Sequence, residues 1–366
     1  MCGAGVVGAS VAYFLARRGV AVTLVERAGV ACAASGKSGG FLALDWCDGS
    51  PLEALSRTSF ALHADLPGQL GAEYGYRRVD TFMLAARERG AMSGSHRVTP
   101  PAWIDGTGIV TAALGSAETT AQVDPGRFTR ALVDAARAHG CGLRIGLVED
   151  VVHDGNASRG VTVDGEILEA DAIVLAMGPW TGQVAHGRRG AASGLRLPTI
   201  SGLKGHSVML AAPDVPAHAL FVDYRTADGR RLEPEIFPRT GGEVYVCGMA
   251  DPAPLPDSPD AVEVSEASCA VLARAAGRVS TALAAAPIVR RQACYRPVTD
   301  DGLPLIGRVP GVEAAYVATG HGPWGILNAP ATGLALAELI TDGAASAVDL
   351  RPFDPARLPL APPARW

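Results

Sequence analysis

Gly3-Ala4-Gly5-Val6-Val7-Gly8 runs into an apolar stretch ending at Arg17-Arg18, and then into Val22-Thr23-Leu24-Val25-Glu26-Arg27. These residues decide the fold. They form a Gly-x-Gly-x-x-Gly loop that opens a helix and is followed by a short apolar strand with an acidic end, the fingerprint of a dinucleotide-binding unit. The first glycine permits the tight turn. The second lets backbone N–H groups approach a pyrophosphate, and the third lets the helix pack closely on the sheet. Glu26 comes eighteen positions after Gly8, near the spacing that brings a carboxylate to a ribose 2′-hydroxyl. Val6, Val7 and Arg27 belong to the same expected cofactor contact. Only Met1 and Cys2 precede the loop. The first strand of the nucleotide domain is therefore expected to be missing, unless the true start lies upstream.

The helix is expected over 5–18, with Val7, Val11, Phe14 and Leu15 on one face and Gly19 closing it. A second helix is signalled over 125–139, with Asp124 as N-cap, Pro125 in the first turn and Gly140 as the stop. Further helices are expected over 52–74, 261–283 and about 329–342. Strands are expected at Thr81–Leu84, Leu143–Val152, Gly160–Val163, Ala170–Gly178, Ser207–Leu210, Leu220–Val222, Glu243–Cys247 and Ala315–Ala318. The glycine- and serine-rich residues 31–49 read as a loop, and the tail from Pro352 as extended. Nucleotide-type signals fall at the start, near 124–180, and after 290, with antiparallel-looking β segments between them. That order implies two domains woven together.

With 366 residues, 48% of them hydrophobic and 19% charged, the chain has the composition of a globular enzyme with a large core. A net charge of −5 gives no reason to expect nucleic acid as a partner. No apolar run approaches the roughly 18 residues of a membrane span, so no integral membrane segment is expected. Seven widely spaced cysteines form no metal-ligand pattern, and no metal is expected. Free thiols fit a reducing compartment, cytoplasm or organelle matrix. Thirty basic residues are arginine and two are lysine, Lys37 and Lys204. Codon bias explains the imbalance, and the two survivors mark places where a compact ammonium could matter.

Near the end, Cys294-Tyr295-Arg296-Pro297-Val298-Thr299-Asp300-Asp301-Gly302-Leu303-Pro304 precedes Ala318-Thr319-Gly320-His321-Gly322-Pro323-Trp324-Gly325. Taken with the N-terminal fingerprint, Ser35-Gly36-Lys37-Ser38-Gly39-Gly40 and the Asp171–Gly178 strand, this block resembles the D-amino-acid oxidase, glycine oxidase and sarcosine oxidase family of FAD-dependent oxidoreductases. Ser35–Leu42 and Gly202–His206 resemble a poorly characterised branch of it. The resemblance implies an α/β fold, α+β overall. A Rossmann-like FAD-binding domain (1–75, 121–200 and 290–366) would interleave with a smaller substrate domain of antiparallel sheet plus helix (76–120 and 201–289).

The cofactor implied is FAD, held by Gly3, Gly5, Val6, Val7, Gly8, Glu26, Arg27, Ser35, Lys37, Ser38, Gly39, Gly40, Ala176, Gly178 and Trp180 at one end. Gly320, Gly322, Trp324 and Gly325 would cup the ring at the other. Backbone N–H groups there, and the N-terminus of the helix after Pro330, would face the negative charge of a reduced flavin. Arg296 is implied as the clamp for a substrate carboxylate. Tyr295, and more weakly Tyr224, would shape the pocket, and His321 would lie beside the flavin. Cys294 aligns with the cysteine that joins flavin covalently in the sarcosine oxidase subgroup, with Thr299 and Asp301 keeping the spacing; a small buried thiol is the competing explanation. Lys37 is expected at a phosphate and Lys204 on a strand with a solvated head.

The substrate implied is a small amine or amino acid, oxidised by hydride transfer to flavin N5 with an imine product and oxygen as acceptor. A non-catalytic or assembly/trafficking flavoprotein of the same fold, an FAD dehydrogenase using a non-oxygen acceptor, and a nicotinamide enzyme remain alternatives. Oligomeric state stays open.

Overall fold

The structure, a computed structural model, describes residues 1–185 and 195–361. Residues 186–194, inside the expected 121–200 segment, lie outside the described residues, as do 362–366.

A parallel sheet forms the centre of the nucleotide unit. Thr23–Glu26 pairs in parallel with Gly142–Ile145, and Ile173–Leu175 pairs in parallel with Ala315–Thr319. Leu305–Arg308 adds an antiparallel edge. The first strand is not wholly absent. Cys2 bridges Val25 on one side and Leu175 on the other. Its N–H donates to the Val174 carbonyl, and the Gly3 N–H to the Val25 carbonyl, both at 2.8 Å. Two residues thus join the neighbouring strands and satisfy backbone groups that an empty slot would have left unpaired.

Helices cover one face of this sheet. Val6–Arg17 packs against Pro125–Ala138 and Gly325–Thr341. Their apolar faces meet in a core that includes Val11, Leu132 and Leu336, all fully buried. Asp124 caps the second of these helices, accepting the Arg127 N–H at 2.9 Å. The last helix begins at Gly325, earlier than expected, so Pro330 lies inside it. Proline cannot donate to the Ile326 carbonyl one turn back. Helix Glu53–Leu70 supplies the replacement: His63 Nε2 lies 3.0 Å from that carbonyl, and Ser59 Oγ accepts the Ala331 N–H at 3.1 Å.

An antiparallel meander of Val148–Asp154, Ala157–Val163 and Glu166–Glu169 packs on the other face. The expected strand 143–152 is therefore two strands broken at Gly146-Leu147, one in each sheet. Residues 31–49 hold more than loop, with a helical turn at Ala34–Lys37 and a strand at Phe41–Ala43 paired to Thr120–Gln122. The tail after 350 forms turns at Arg351–Phe353 and Pro355–Arg357 where extended chain was expected. Arg357 holds it to Asp301 at 2.8 Å.

The second unit is an eight-stranded sheet. Its order is Ile288–Thr299, Ile200–Ala211, Glu243–Asp251, Glu235–Pro238, His218–Arg225, Asp80–Arg87 and Ile109–Gly115, with Arg231–Leu232 beside His218–Arg225. Only the pair of His218–Arg225 with Asp80–Arg87 is parallel. Helix Glu266–Val279 covers one face. The opposite face turns toward the nucleotide unit. Ile288–Thr299 belongs to this sheet, although the sequence pattern places residues from 290 on in the nucleotide domain. It pairs with Ile200–Ala211 along its length and carries Arg296 to the boundary between the units.

Candidate active site

One cleft contains residues from both ends of the chain. Gly3, Gly5, Val6, Val7, Glu26, Arg27, Ser35 and Ser38 line it together with Tyr295, Arg296, His321, Gly322 and Gly325. Ala176, Gly178 and Trp180, from the end of the third parallel strand, lie between the two groups.

At the N-terminal end the backbone is shaped for an anionic group. Gly3 has φ of +103°, and a Cβ on it would stand 2.5 Å from the Ala176 carbonyl oxygen. A Cβ on Gly8 would stand 2.0 Å from the Gly3 carbonyl oxygen. Gly8 therefore sets the close approach of helix to loop, without itself lining the cleft. Helix Val6–Arg17 has no acidic residue in its first turn, and the neutral Ser35 Oγ accepts the Val6 N–H at 2.9 Å, so its positive end still suits a phosphate. Glu26 is fixed as the Ala4 N–H donates to Oε2 at 2.8 Å and the Ala28 N–H to Oε1 at 3.1 Å. Each oxygen retains acceptor capacity for a ribose hydroxyl.

At the other end, the guanidinium of Arg296 reaches the cleft and forms no hydrogen bond or ion pair with any described residue. Asp301, a nearby carboxylate in the chain, is taken by Arg357. Tyr295 also borders the cleft, with its hydroxyl committed to the Pro254 carbonyl at 2.7 Å. His321 is buried, with Nε2 3.0 Å from Thr332 Oγ1 and Nδ1 unpartnered. Burial pushes its pKa down to about 4, so the ring is neutral. A neutral ring can hold one hydrogen bond to a bound group and carries no charge into the site.

Other expected site residues fall outside the lining. Gly39 backs onto the Phe237 ring, Gly40 onto the Val123 carbonyl and Gly320 onto Thr299. Trp324 packs edge-on to Trp46 at 6.3 Å. Tyr224 is buried beneath helix Glu266–Val279, on the far side of the large sheet. Lys204 is buried too, with its ammonium 3.5 Å from Asp251; its head is not solvated. Lys37 does not line the cleft at the expected phosphate end. Its carbonyl accepts Tyr245 and Gln292, and its charge acts on the Cys32 and Cys294 thiols. Cys294 lies off the lining. Burial raises its pKa to about 11, with Lys37 and Arg296 pulling the other way.

Sequence patterns did not mark two features. Residues 254–257 form a strap at the mouth, tied by Tyr295, by Trp180 Nε1 to the Pro256 carbonyl at 2.8 Å, and by Arg27 to the Asp257 carbonyl. Glu235, on an inner strand, turns toward the same boundary as Arg296. The only signal for it is the alternation of Glu235-Ile236-Phe237, which puts a carboxylate on a covered face.

A family model described as FAD dependent oxidoreductase matches residues 2–339. A Schizosaccharomyces pombe protein named Putative oxidoreductase C1F5.03c is 32% identical over 382 residues, covering 96% of each chain. Glycine oxidase of Geobacillus kaustophilus is 29% identical over 381 residues, covering 97% of this chain and 95% of its own. The crystal structure of glycine oxidase from Geobacillus kaustophilus superposes with a TM-score of 0.78 and covers 97% of both chains, at 25% identity.

Proposed function

This chain belongs to the FAD-dependent oxidoreductase family, and from that premise we propose that it oxidises a small amine or amino acid. FAD is the cofactor of the family, and the residues present fit it. The Gly3–Gly8 turn and a helix end that carries no acidic residue suit a diphosphate, and Glu26 suits a ribose. When bound, FAD supplies the two-electron acceptor, taking a hydride from the carbon that bears the amine.

Arg296 carries the proposal. A guanidinium facing a cleft without a protein partner is costly to bury unless a ligand completes it, and a carboxylate completes it in two hydrogen bonds. A carboxylate seated there fixes the neighbouring carbon in one orientation, which lowers the barrier by removing rotational freedom. Neutral His321 adds no positive charge beside Arg296. The substrate amine reacts in its neutral form, and the imine formed leaves and hydrolyses in water. Oxygen is the proposed acceptor that restores the enzyme.

The test begins with the visible spectrum of the purified protein, followed by anaerobic mixing with a panel of amines and amino acids. Bleaching of the flavin by carboxylate-bearing amines, with peroxide released on admitting air, is expected. Flavin that no amine bleaches would refute amine oxidation. Bleaching without peroxide would replace oxygen by another acceptor.

A further inference from the structure

Five neighbouring strands of the large sheet place Phe221, Glu235, Cys247, Ser207 and Gln292 in one register row. Cys294 and Arg296 follow Gln292 on the same face, because side chains alternate along a strand. Hydrogen bonds from Tyr245 and Gln292 to the Lys37 carbonyl turn that face toward the nucleotide unit. Phe41, Trp46, Phe221, Glu235, Cys247 and Arg296 nevertheless keep accessible surface. Packing therefore does not close these side chains off completely, and a ligand between sheet and nucleotide unit would meet them.

Glu235 is the acidic group among these side chains. The Cys247 thiol donates to Oε2 at 3.4 Å, and Oε1 has no hydrogen bond to any described residue. Burial raises the carboxyl pKa, while the thiol and the charge of Arg296 draw it back down. Arg296 acts on it from a distance, with no ion pair between the two. Two strands lie between theirs, roughly 14 Å at the usual spacing, and Arg296 stands four residues beyond the row of Glu235, so only the reach of the long side chains brings the two charges together. Beside Glu235 stands an aromatic wall: Phe41, Trp46 and Phe221 have ring centroids 4.9 to 5.1 Å apart. Aromatic faces next to a carboxylate suit an organic cation.

We propose that a cavity between this face and the nucleotide unit selects amino acids carrying a second, basic nitrogen, held by Glu235 against Phe221 and Trp46 while the carboxylate sits on Arg296. This rests on the amine-oxidising function proposed above. An α-amine lies next to its carboxylate and does not span the gap between Arg296 and Glu235; a distal amine does. The half-buried carboxylate, left without a cation, carries a desolvation cost that such a ligand reduces.

The test compares lysine with its uncharged isostere norleucine on the flavin-loaded protein. Binding is read by calorimetry and oxidation by anaerobic bleaching, in the wild type and in Glu235→Gln. Lysine should be preferred about tenfold in Kd and in bleaching kcat/KM, as a charge-assisted contact predicts. In Glu235→Gln, checked for retained flavin and circular dichroism, the ratio should fall to about one. Equal handling of the two ligands by the wild type, or a ratio that survives in Glu235→Gln, overturns the proposal and leaves amine oxidation standing. Lysine that binds through Glu235 but bleaches nothing upholds the selectivity and refutes oxidation of the ligand held there. Failure of both ligands to bind overturns the proposal outright.

Discussion

The hydroxyl of Tyr295 donates to the carbonyl of Pro254 at 2.7 Å, immediately before Arg296 in the chain. The residue next to the proposed substrate clamp therefore ties down the strap at the mouth of the cleft. Trp180 and Arg27 hold the next residues of the strap. Tyr295→Phe removes one neutral hydrogen bond, worth about 1 kcal/mol. Faster amide hydrogen exchange over 252–258 and a KM raised a few-fold are expected, with kcat changed less. Unchanged exchange in that segment would show that the other two contacts suffice.

Arg296→Lys keeps the charge and loses the planar fork. For a carboxylate-bearing substrate, kcat/KM is expected to fall about 100-fold, the scale of a lost charge-assisted pair. Flavin content should not change, because the proposed contact is to substrate. Steady-state kinetics on the best substrate of the panel measure this.

Gly8→Ala places a methyl where only 2.0 Å separates it from the Gly3 carbonyl oxygen. The helix must back away from the loop, which disturbs the diphosphate seat. Loss of most bound flavin is expected, with a melting temperature lowered by several degrees, the usual result of about 1–3 kcal/mol of overpacking. Absorbance at the flavin maximum, relative to protein, checks it.

His63 and His321 are both buried, and burial takes each pKa down to about 4. In the unfolded chain the value is near 6.5. The unfolded state therefore binds protons first as pH falls, and stability drops between about 6.5 and 4, by up to about 3 kcal/mol per histidine. Above 6.5 neither group makes stability depend on pH. Denaturant titrations at pH 7, 5.5 and 4.5 should show this slope, and His321→Asn should flatten it by about half.

Cys294 lies off the cleft lining with a thiol pKa near 11. A protonated thiol is a poor nucleophile, so the flavin is expected to be held without a covalent bond. Acid precipitation should leave a colourless pellet. A yellow pellet would point to attachment through this residue.

Much of the nucleotide unit could be read in the sequence because its signals are local. The Gly3–Gly8 spacing, the Asp124 cap and the strand before Gly178 each follow from the backbone geometry of a few neighbouring residues. Contributions from distant residues were harder to read. Pro330 breaks a helix by every local rule, yet the helix passes through it because His63 and Ser59 take over the freed groups. The 143–152 run reads as one strand, and the change of sheet at Gly146 becomes visible only once both sheets exist.

The sequence by itself determined a dinucleotide-binding turn with its acidic strand end, since both are set by spacing along the backbone, and its resemblance to a family implied that both ends of the chain share one cofactor. Tertiary structure alone decided what faces the cleft. It buried Tyr224 under a helix, paired Lys204 with Asp251, left Arg296 without a partner among the described residues and turned Glu235 toward the nucleotide unit. Those outcomes depend on strand order and on which face of a sheet is covered, and residues that share no local motif come together only when the sheets pack.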